Sequence, residues 1–215
     1  MSYGFLDIAR TPSVRAVQAE MGSAHIFDRF EGDRAFDVFT RREMDFIAAR
    51  DSFYMASVSE TGWPYVQHRG GPAGFLTVLD ERRLAFADYR GNRQYISTGN
   101  LRANDRVCLI LMDYPRQMRL KLYARVEFLS LDAEDDLTGQ VVTPDYRARP
   151  ERIVLLRLEA FDWNCPAHIT PRFTQAEIID AMRDVRERLT VLEDENTRLR
   201  AELALARRGQ VEAWT

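Results

Sequence analysis

Two Arg-Gln pairs offer the most chemistry in this chain. Arg93-Gln94 follows Gly91-Asn92, and Arg116-Gln117 follows Tyr114-Pro115. A guanidinium fork beside a strand end suits an anion, and a neighbouring carboxamide adds a neutral donor or acceptor. If the Gly91-Asn92 turn opens into a helix, its backbone N–H groups add donors to the first pair. A third polar cluster, Gln67-His68-Arg69, precedes Gly70-Gly71. Two glycines there permit close approach of a ligand or of another strand. Each cluster alone has a plainer explanation: Arg93 as a solvent-facing helix residue, Arg116-Gln117 as a polar turn tip, His68 as a structural histidine. Their combination points to a site for a planar, anionic molecule.

The elements that must position these residues follow from patterning. Phe53–Ser59 reads as a strand, Glu60-Thr61-Gly62-Trp63-Pro64 as turn chemistry, and Tyr65–Gly70 as the return strand. Further strands are expected near 74–79, 84–88, 107–113, 118–130 and 152–160. The strand over 118–130 sets Met118, Leu120, Leu122, Ala124, Val126 and Phe128 on one face, against Arg119, Lys121, Tyr123, Arg125 and Glu127 on the other. Arg93 and Gln94 are expected to head a short helix. Thr11-Pro12 predicts a helix running to about Met21, and the capping box Thr40-x-x-Glu43 predicts one over 41–50. Another is expected over 131–142, beginning at Asp132. Many strands with few long helices give a mainly β fold, a small antiparallel barrel with peripheral helices.

The last forty or so residues change character. Ile178, Val185, Leu192 and Leu199 fall at the d positions of a heptad, and Met182, Leu189, Asn196 and Leu203 at the a positions. An asparagine at a favours a parallel, in-register pair, where it can bond its own copy. The flanking charges agree: Arg188 would face Glu193, Glu195 would face Arg200, and Glu202 would face Arg207. Each exposed pair is worth only ~0.3–0.5 kcal/mol and selects register more than it stabilises. The competing expectation is a single amphipathic helix lying on its own barrel, which would carry a wider stripe of period 3.6. No dense basic run precedes the seam, so a basic zipper is not expected. Three segments result: residues 1–35 as an N-terminal helical segment, 36–173 as the barrel, and 174–215 as a C-terminal coiled-coil helix.

The 215 residues are 46% hydrophobic, enough for one core plus an accessory element. Thirty basic against 33 acidic side chains give no global pull toward nucleic acid or an anionic membrane, so any anion site must be local. Apolar runs such as Val107–Met112 are too short to span a bilayer. The segment Met1-Ser2-Tyr3-Gly4-Phe5 lacks the basic start and apolar stretch of a signal peptide. Cys108 lies in an apolar strand and Cys165 stands apart from it. That usage suggests a reducing compartment, and a cytoplasmic protein is expected. The three scattered histidines and two cysteines do not have zinc spacing, so no metal is expected.

The order of motifs resembles the pyridoxamine 5′-phosphate oxidase-like flavoproteins, the FMN-binding split barrels, over roughly residues 36–173. The motifs are Gly62-x-Pro64-Tyr65-x-Gln67-His68-Arg69, Phe86-x-Asp88-x-x-Gly91-Asn92-Arg93-Gln94, Asn100-Leu101, Asn104-Asp105-Arg106-Val107 and Arg116-Gln117. The stretch Asp162-Trp163-Asn164-Cys165-Pro166-x-His168 through Arg172-Phe173 looks like the ending of a flavin-nucleotide-binding branch. The resemblance implies a homodimer with FMN at the subunit interface. It places Gln67, His68, Arg69 and Asp88 beside the flavin, Asn92, Arg93 and Gln94 at its phosphate, and Arg116 and Gln117 in the partner's contribution. Trp163 and Arg172 are implied near the ring. Two departures narrow the expectation. Gln94 stands where the family commonly has lysine, and Gly70-Gly71-Pro72 stands where true pyridoxamine phosphate oxidases continue to a substrate-binding lysine. An FMN-dependent oxidoreductase acting on a different small molecule is expected. The open alternatives are a non-catalytic flavin-binding or sensing protein that recruits a partner through its coiled coil, or the same barrel holding a deazaflavin or haem.

Overall fold

Among the described residues, seven strands form one antiparallel sheet: β1 (Ser52–Val58), β2 (Pro64–Gly70), β3 (Thr77–Val78), β4 (Arg83–Tyr89), β5 (Arg106–Asp113), β6 (Met118–Leu129) and β7 (Pro150–Trp163). Their order is β2-β1-β5-β6-β7-β4-β3. The computed structural model describes residues 3–28, 37–132, 135–144, 146–163 and 166–212. Around the sheet lie α1 (Tyr3–Ala9), α2 (Pro12–Glu20), α3 (Ala24–Asp28), α4 (Arg41–Ala48), α5 (Ile96–Ala103) and α6 (Asp135–Val141). Residues up to Thr170 form one unit, and Pro171–Thr215 form a second one containing α7 (Gln175–Ala181) and α8 (Arg183–Glu212). The fold is mixed α/β around a central sheet, with more helix than the expected mainly β class.

Side-chain contacts show that the sheet is strongly rolled. Neighbouring strands lie ~4.8 Å apart, so β2 and β4, five steps apart in the order, would stand roughly 24 Å apart in a flat sheet. Instead Arg69 of β2 and Asp88 of β4 form an ion pair at 2.8 Å. Deeper in, the rings of Phe53 on β1 and Phe86 on β4 meet edge to face at 5.4 Å. Period-2 alternation explains both contacts. Phe53, Met55 and Ser57 turn inward from β1, paired in register with Arg69, Gln67 and Tyr65 of β2. Leu109, Leu111, Leu120 and Leu122 complete the interior. β4 is buried on both faces, because Ala85 and Ala87 pack outward with Ile153, Leu155 and Val141 of α6.

The helix signals near the N-terminus hold well. Thr11 caps α2 through Val14 N–H, with Pro12 at the first helical position. At α4 the buried Glu43 carboxylate accepts from Thr40 N–H at 3.0 Å and from the Thr40 hydroxyl. α1 and α3 carry no comparable signal and were not expected. α1 is anchored by Phe5, which stacks on Tyr123 at 4.3 Å between ring centroids. α4 ends at Ala48 rather than 50, and α6 begins at Asp135 rather than Asp132. Cys165 lies outside the described residues.

Candidate functional site

Alternation in β2 separates the Gln67-His68-Arg69 cluster. Tyr65, Gln67 and Arg69 face inward, while His68 faces out with Val66 and meets the Tyr54 ring at 5.5 Å. Three consecutive strand residues cannot share one face. At the open end of the interior, Arg69 meets Asp88, which continues the inward row of Leu84 and Phe86 on β4, and Gln67 lines the same space. A cavity of about 210 Å³ lies here, lined by β2, the end of β4, the 91–95 turn, the start of α5 and Glu151.

The turn does not take the expected shape. Gly91 has an ordinary backbone, and the left-handed residues are Arg93 (φ 63°) and Tyr95 (φ 51°). An Asx turn sets the first part, with Gln94 N–H donating to Asn92 Oδ1 at 3.1 Å. The two side chains also bond one another, Asn92 Nδ2 to Gln94 Oε1 at 3.1 Å. Arg93 and Gln94 therefore precede the helix rather than head it. Tyr95 occupies the N-cap, no side chain caps α5, and Ser97 and Thr98 line the cavity from the first turn. Asn100 ties the helix to β1 by donating to Ser57 Oγ at 3.1 Å.

Charge around the cavity is arranged in layers. Buried Asp88 pairs with Arg69 at 2.8 Å and lies 3.4 Å from Arg152. Glu151 accepts from Arg90 at 2.8 Å, Tyr95 at 3.1 Å and Arg152 at 3.2 Å. The Arg90 guanidinium, helped by Tyr95 and Arg152 and opposed by desolvation, holds Glu151 below the usual carboxylate range. Three arginines, Arg69, Arg90 and Arg152, thus pair with two carboxylates, and a fourth, Arg93, lines the cavity. Among the described residues Arg93 makes no ion pair. Two buried polar atoms of cavity-lining side chains, Arg69 Nε and Ser97 Oγ, have no hydrogen-bond partner among the described residues, and neither does Arg152 Nε beside Asp88. Buried donors are rarely left unmet, so Arg69 Nε and Ser97 Oγ are candidates to receive an oxyanion from outside the chain once neighbouring side chains shift to uncover them. An uncapped helix N-terminus alongside them favours the same charge.

The remaining expected residues lie elsewhere. Arg116 and Gln117 form the β5–β6 turn, with Gln117 left-handed at φ 53°. Arg116 bonds Asp113 through its N–H at 3.1 Å and its guanidinium at 3.0 Å, and Gln117 Nε2 donates to Ile169 O at 2.6 Å. Trp163 is held on α4. Its indole N–H donates to Glu43 at 2.8 Å, its ring meets Phe46 edge-on, and Arg42 lies over it at 4.4 Å. Arg172 belongs to the second unit. Gly71 answers a packing need, since a Cβ there would come within 2.7 Å of the Phe75 ring. Tyr65, Ser97, Thr98, Glu151 and Arg152 were missed from sequence, because long-range packing alone brings them together.

A model of the pyridoxamine 5′-phosphate oxidase family matches residues 39–163, more than half of the chain. The chain belongs to that family. The match spans every strand and all of the cavity lining. Solved structures of similar shape include a Lactobacillus delbrueckii protein provisionally assigned as a pyridoxamine 5′-phosphate oxidase. It is 21% identical, covering 60% of this chain and 96% of that one, with a TM-score of 0.46. An FMN-binding protein from Syntrophomonas wolfei is 11% identical over 71% of this chain and 95% of its own, with a TM-score of 0.44. A FAD-binding protein from Mesorhizobium loti is 15% identical over 59% and 94%, with a TM-score of 0.39. No curated protein matches. Among the described residues no helix is long and apolar enough to cross a membrane.

Proposed function

We propose that this chain is an FMN-binding oxidoreductase that acts on a small molecule and works as a homodimer, with the flavin between two split barrels. The observation that carries the reading is the pair of partnerless buried atoms, Arg69 Nε and Ser97 Oγ, at an uncapped helix start beside the uncommitted Arg93. Together with Thr98 they would hold the phosphate. Asp88 keeps the Arg69 fork in place through Nη1, which leaves Nε to the ligand. Gln67, whose oxygen accepts from Tyr65 OH at 2.5 Å, stands further along the same inward row and would meet the ribityl chain or ring. FMN, when bound, supplies reversible one- and two-electron transfer.

A cavity of about 210 Å³ is below the ~300–1,000 Å³ typical of small-molecule sites. That size suits a phosphate tail and leaves the ring for a second chain to cover. Arg116, whose side chain is 70% exposed, is the group the partner's β5–β6 turn would bring. His68 is not proposed as a catalytic acid, because it faces away from Gln67 and Arg69. Oxidation of pyridoxamine phosphate is not proposed either. The position after β2 that would carry its lysine is Gly70-Gly71-Pro72, and Gly71 is committed to Phe75.

The test is the ligand that copurifies, identified by absorbance and by mass after release, followed by reduction with NADPH or NADH and reoxidation by an added acceptor. FMN that bleaches and recovers supports the reading. FMN that no reductant bleaches leaves a binding protein rather than an enzyme, a deazaflavin or haem replaces the cofactor, and a protein that takes up no FMN on titration ends the flavin reading.

A further inference from the structure

We infer that the second unit is a dimerisation arm: α7 and α8 pair with the same helices of a second copy as a parallel, in-register, two-stranded coil. α8 alone runs from Arg183 to Glu212, about 45 Å at 1.5 Å per residue. The two helices abut at Met182, a turn residue that caps α7; its N–H bonds Ile178 O, and Arg186 N–H bonds Met182 O, both at 3.0 Å. The unbroken helical part of the seam runs along α8 from Val185 onward. Its apolar members are all between 42% and 56% exposed, so no described residue of their own unit covers them. A stripe repeating every 3.5 residues is narrower than a helix needs to lie on a globular surface, and it matches a second helix of the same period.

Charge selects which helix that is. Arg188, Glu193, Glu195 and Arg200 flank the seam, and among the described residues none forms an ion pair within its own chain. In a parallel, in-register pair of identical chains, Arg188 meets Glu193 and Glu195 meets Arg200, twice over by symmetry. An antiparallel pair would set like positions against one another and would place Asn196 against an apolar residue. In register, Asn196 meets its own copy and both amides bond. The occupant that satisfies the apolar seam, the flanking charges and the buried amide together is a second copy of this chain. This inference stands apart from the flavin reading, since it concerns chain pairing and is read without any ligand.

The test coexpresses two differently tagged full-length chains, Glu195→Lys and Arg200→Glu. Each homodimer then carries two facing like charges, whereas the mixed dimer restores opposite charges on both sides. Native mass spectrometry should show mixed dimers well above the half that random pairing gives. In a separate full-length protein, Leu199→Cys, mild oxidation should join the chains through a bridge that peptide mapping places between the two copies of position 199, because paired d positions lie within disulfide reach. Random pairing of the tagged chains, or absence of the 199–199 link, overturns the inference. The flavin titration can succeed or fail without altering either readout.

Discussion

Arg93-Gln94 and Arg116-Gln117 are the same two residue types in the same order, each in a turn with a left-handed residue, yet the fold treats them differently. Around Arg93 the chain leaves donors open: Arg69 Nε, Ser97 Oγ and the uncapped start of α5. Around Arg116 the buried groups are met within the chain. Asp113 takes the Arg116 N–H and guanidinium and also pairs with Arg50 at 3.0 Å, while Gln117 spans to Ile169 O. Both corners thus hold left-handed backbone, at Arg93 and Tyr95 in one and at Gln117 in the other. What separates the corner proposed to bind from the structural one is whether the buried polar atoms are already satisfied.

The largest expected effect tests the structural corner. Asp113 is 3% exposed, and Arg50 beside it is 15% exposed. Removing the charge with Asp113→Asn leaves Arg50 without its carboxylate and should cost about 3 kcal/mol at neutral pH, read from denaturant midpoints. The pH dependence has a definite sign. Desolvation pushes the Asp113 carboxyl up, but the Arg116 N–H and guanidinium and the Arg50 charge outweigh it and hold the group below its ordinary 3.8. A depressed carboxyl contributes stability that is complete above the unfolded value and is lost as pH falls through the folded one. The gap between wild type and Asp113→Asn should therefore close below pH 3.8. An undiminished gap well below that point would show that Asp113 acts through packing.

The next effect tests the binding corner. Arg69→Ala removes a charge-assisted bond worth ~1.5–3 kcal/mol, so the FMN Kd should rise roughly 10- to 150-fold in a fluorescence titration. A change under about twofold would remove Arg69 from the phosphate site. Ser97→Ala sharpens the contrast through opposite signs. Loss of one neutral bond should weaken FMN roughly fivefold (~1 kcal/mol), while the ligand-free protein should melt no lower, because a buried hydroxyl without a partner is a cost to the fold. A hydroxyl serving structure would lower both.

The contrast between the corners also marks how far the sequence was legible. β6 was readable because one face is buried and the other is not, so alternation had to be clean. Thr40-x-x-Glu43 was readable because capping is a four-residue affair, but the second task of Glu43, receiving the indole of Trp163 from 120 residues away, was not. The placement of His68 could have been inferred, since period 2 already sets it opposite Gln67 and Arg69. Ser97 could not, because a serine in a helix's first turn gains meaning only once Arg69 arrives from a strand five places away in the sheet. Gly91 did mark a turn. Glycine marks a turn without saying which residue bears the unusual backbone, and here that strain falls on Arg93 and Tyr95.

The smallest effect asks whether the two corners meet across the dimer. Arg116 is the exposed end of its bridge to buried Asp113, and Arg50 still meets that carboxylate, so Arg116→Ala should change stability by no more than ~1 kcal/mol. If the partner's Arg116 side chain reaches the flavin, FMN affinity should still fall roughly threefold, as for loss of an exposed charge contact. Mixing then decides the geometry. A dimer of one Arg69→Ala chain and one Arg116→Ala chain holds one site with both lesions and one with neither, provided each site draws Arg69 from one chain and Arg116 from the other. Coexpressed and purified by two tags, that dimer should show a class of sites with the wild-type Kd at half occupancy. If both arginines served the same site from one chain, no wild-type site could form. The titration would then show only the two single-lesion affinities, and the likeness between Arg93-Gln94 and Arg116-Gln117 would be one of residue order alone.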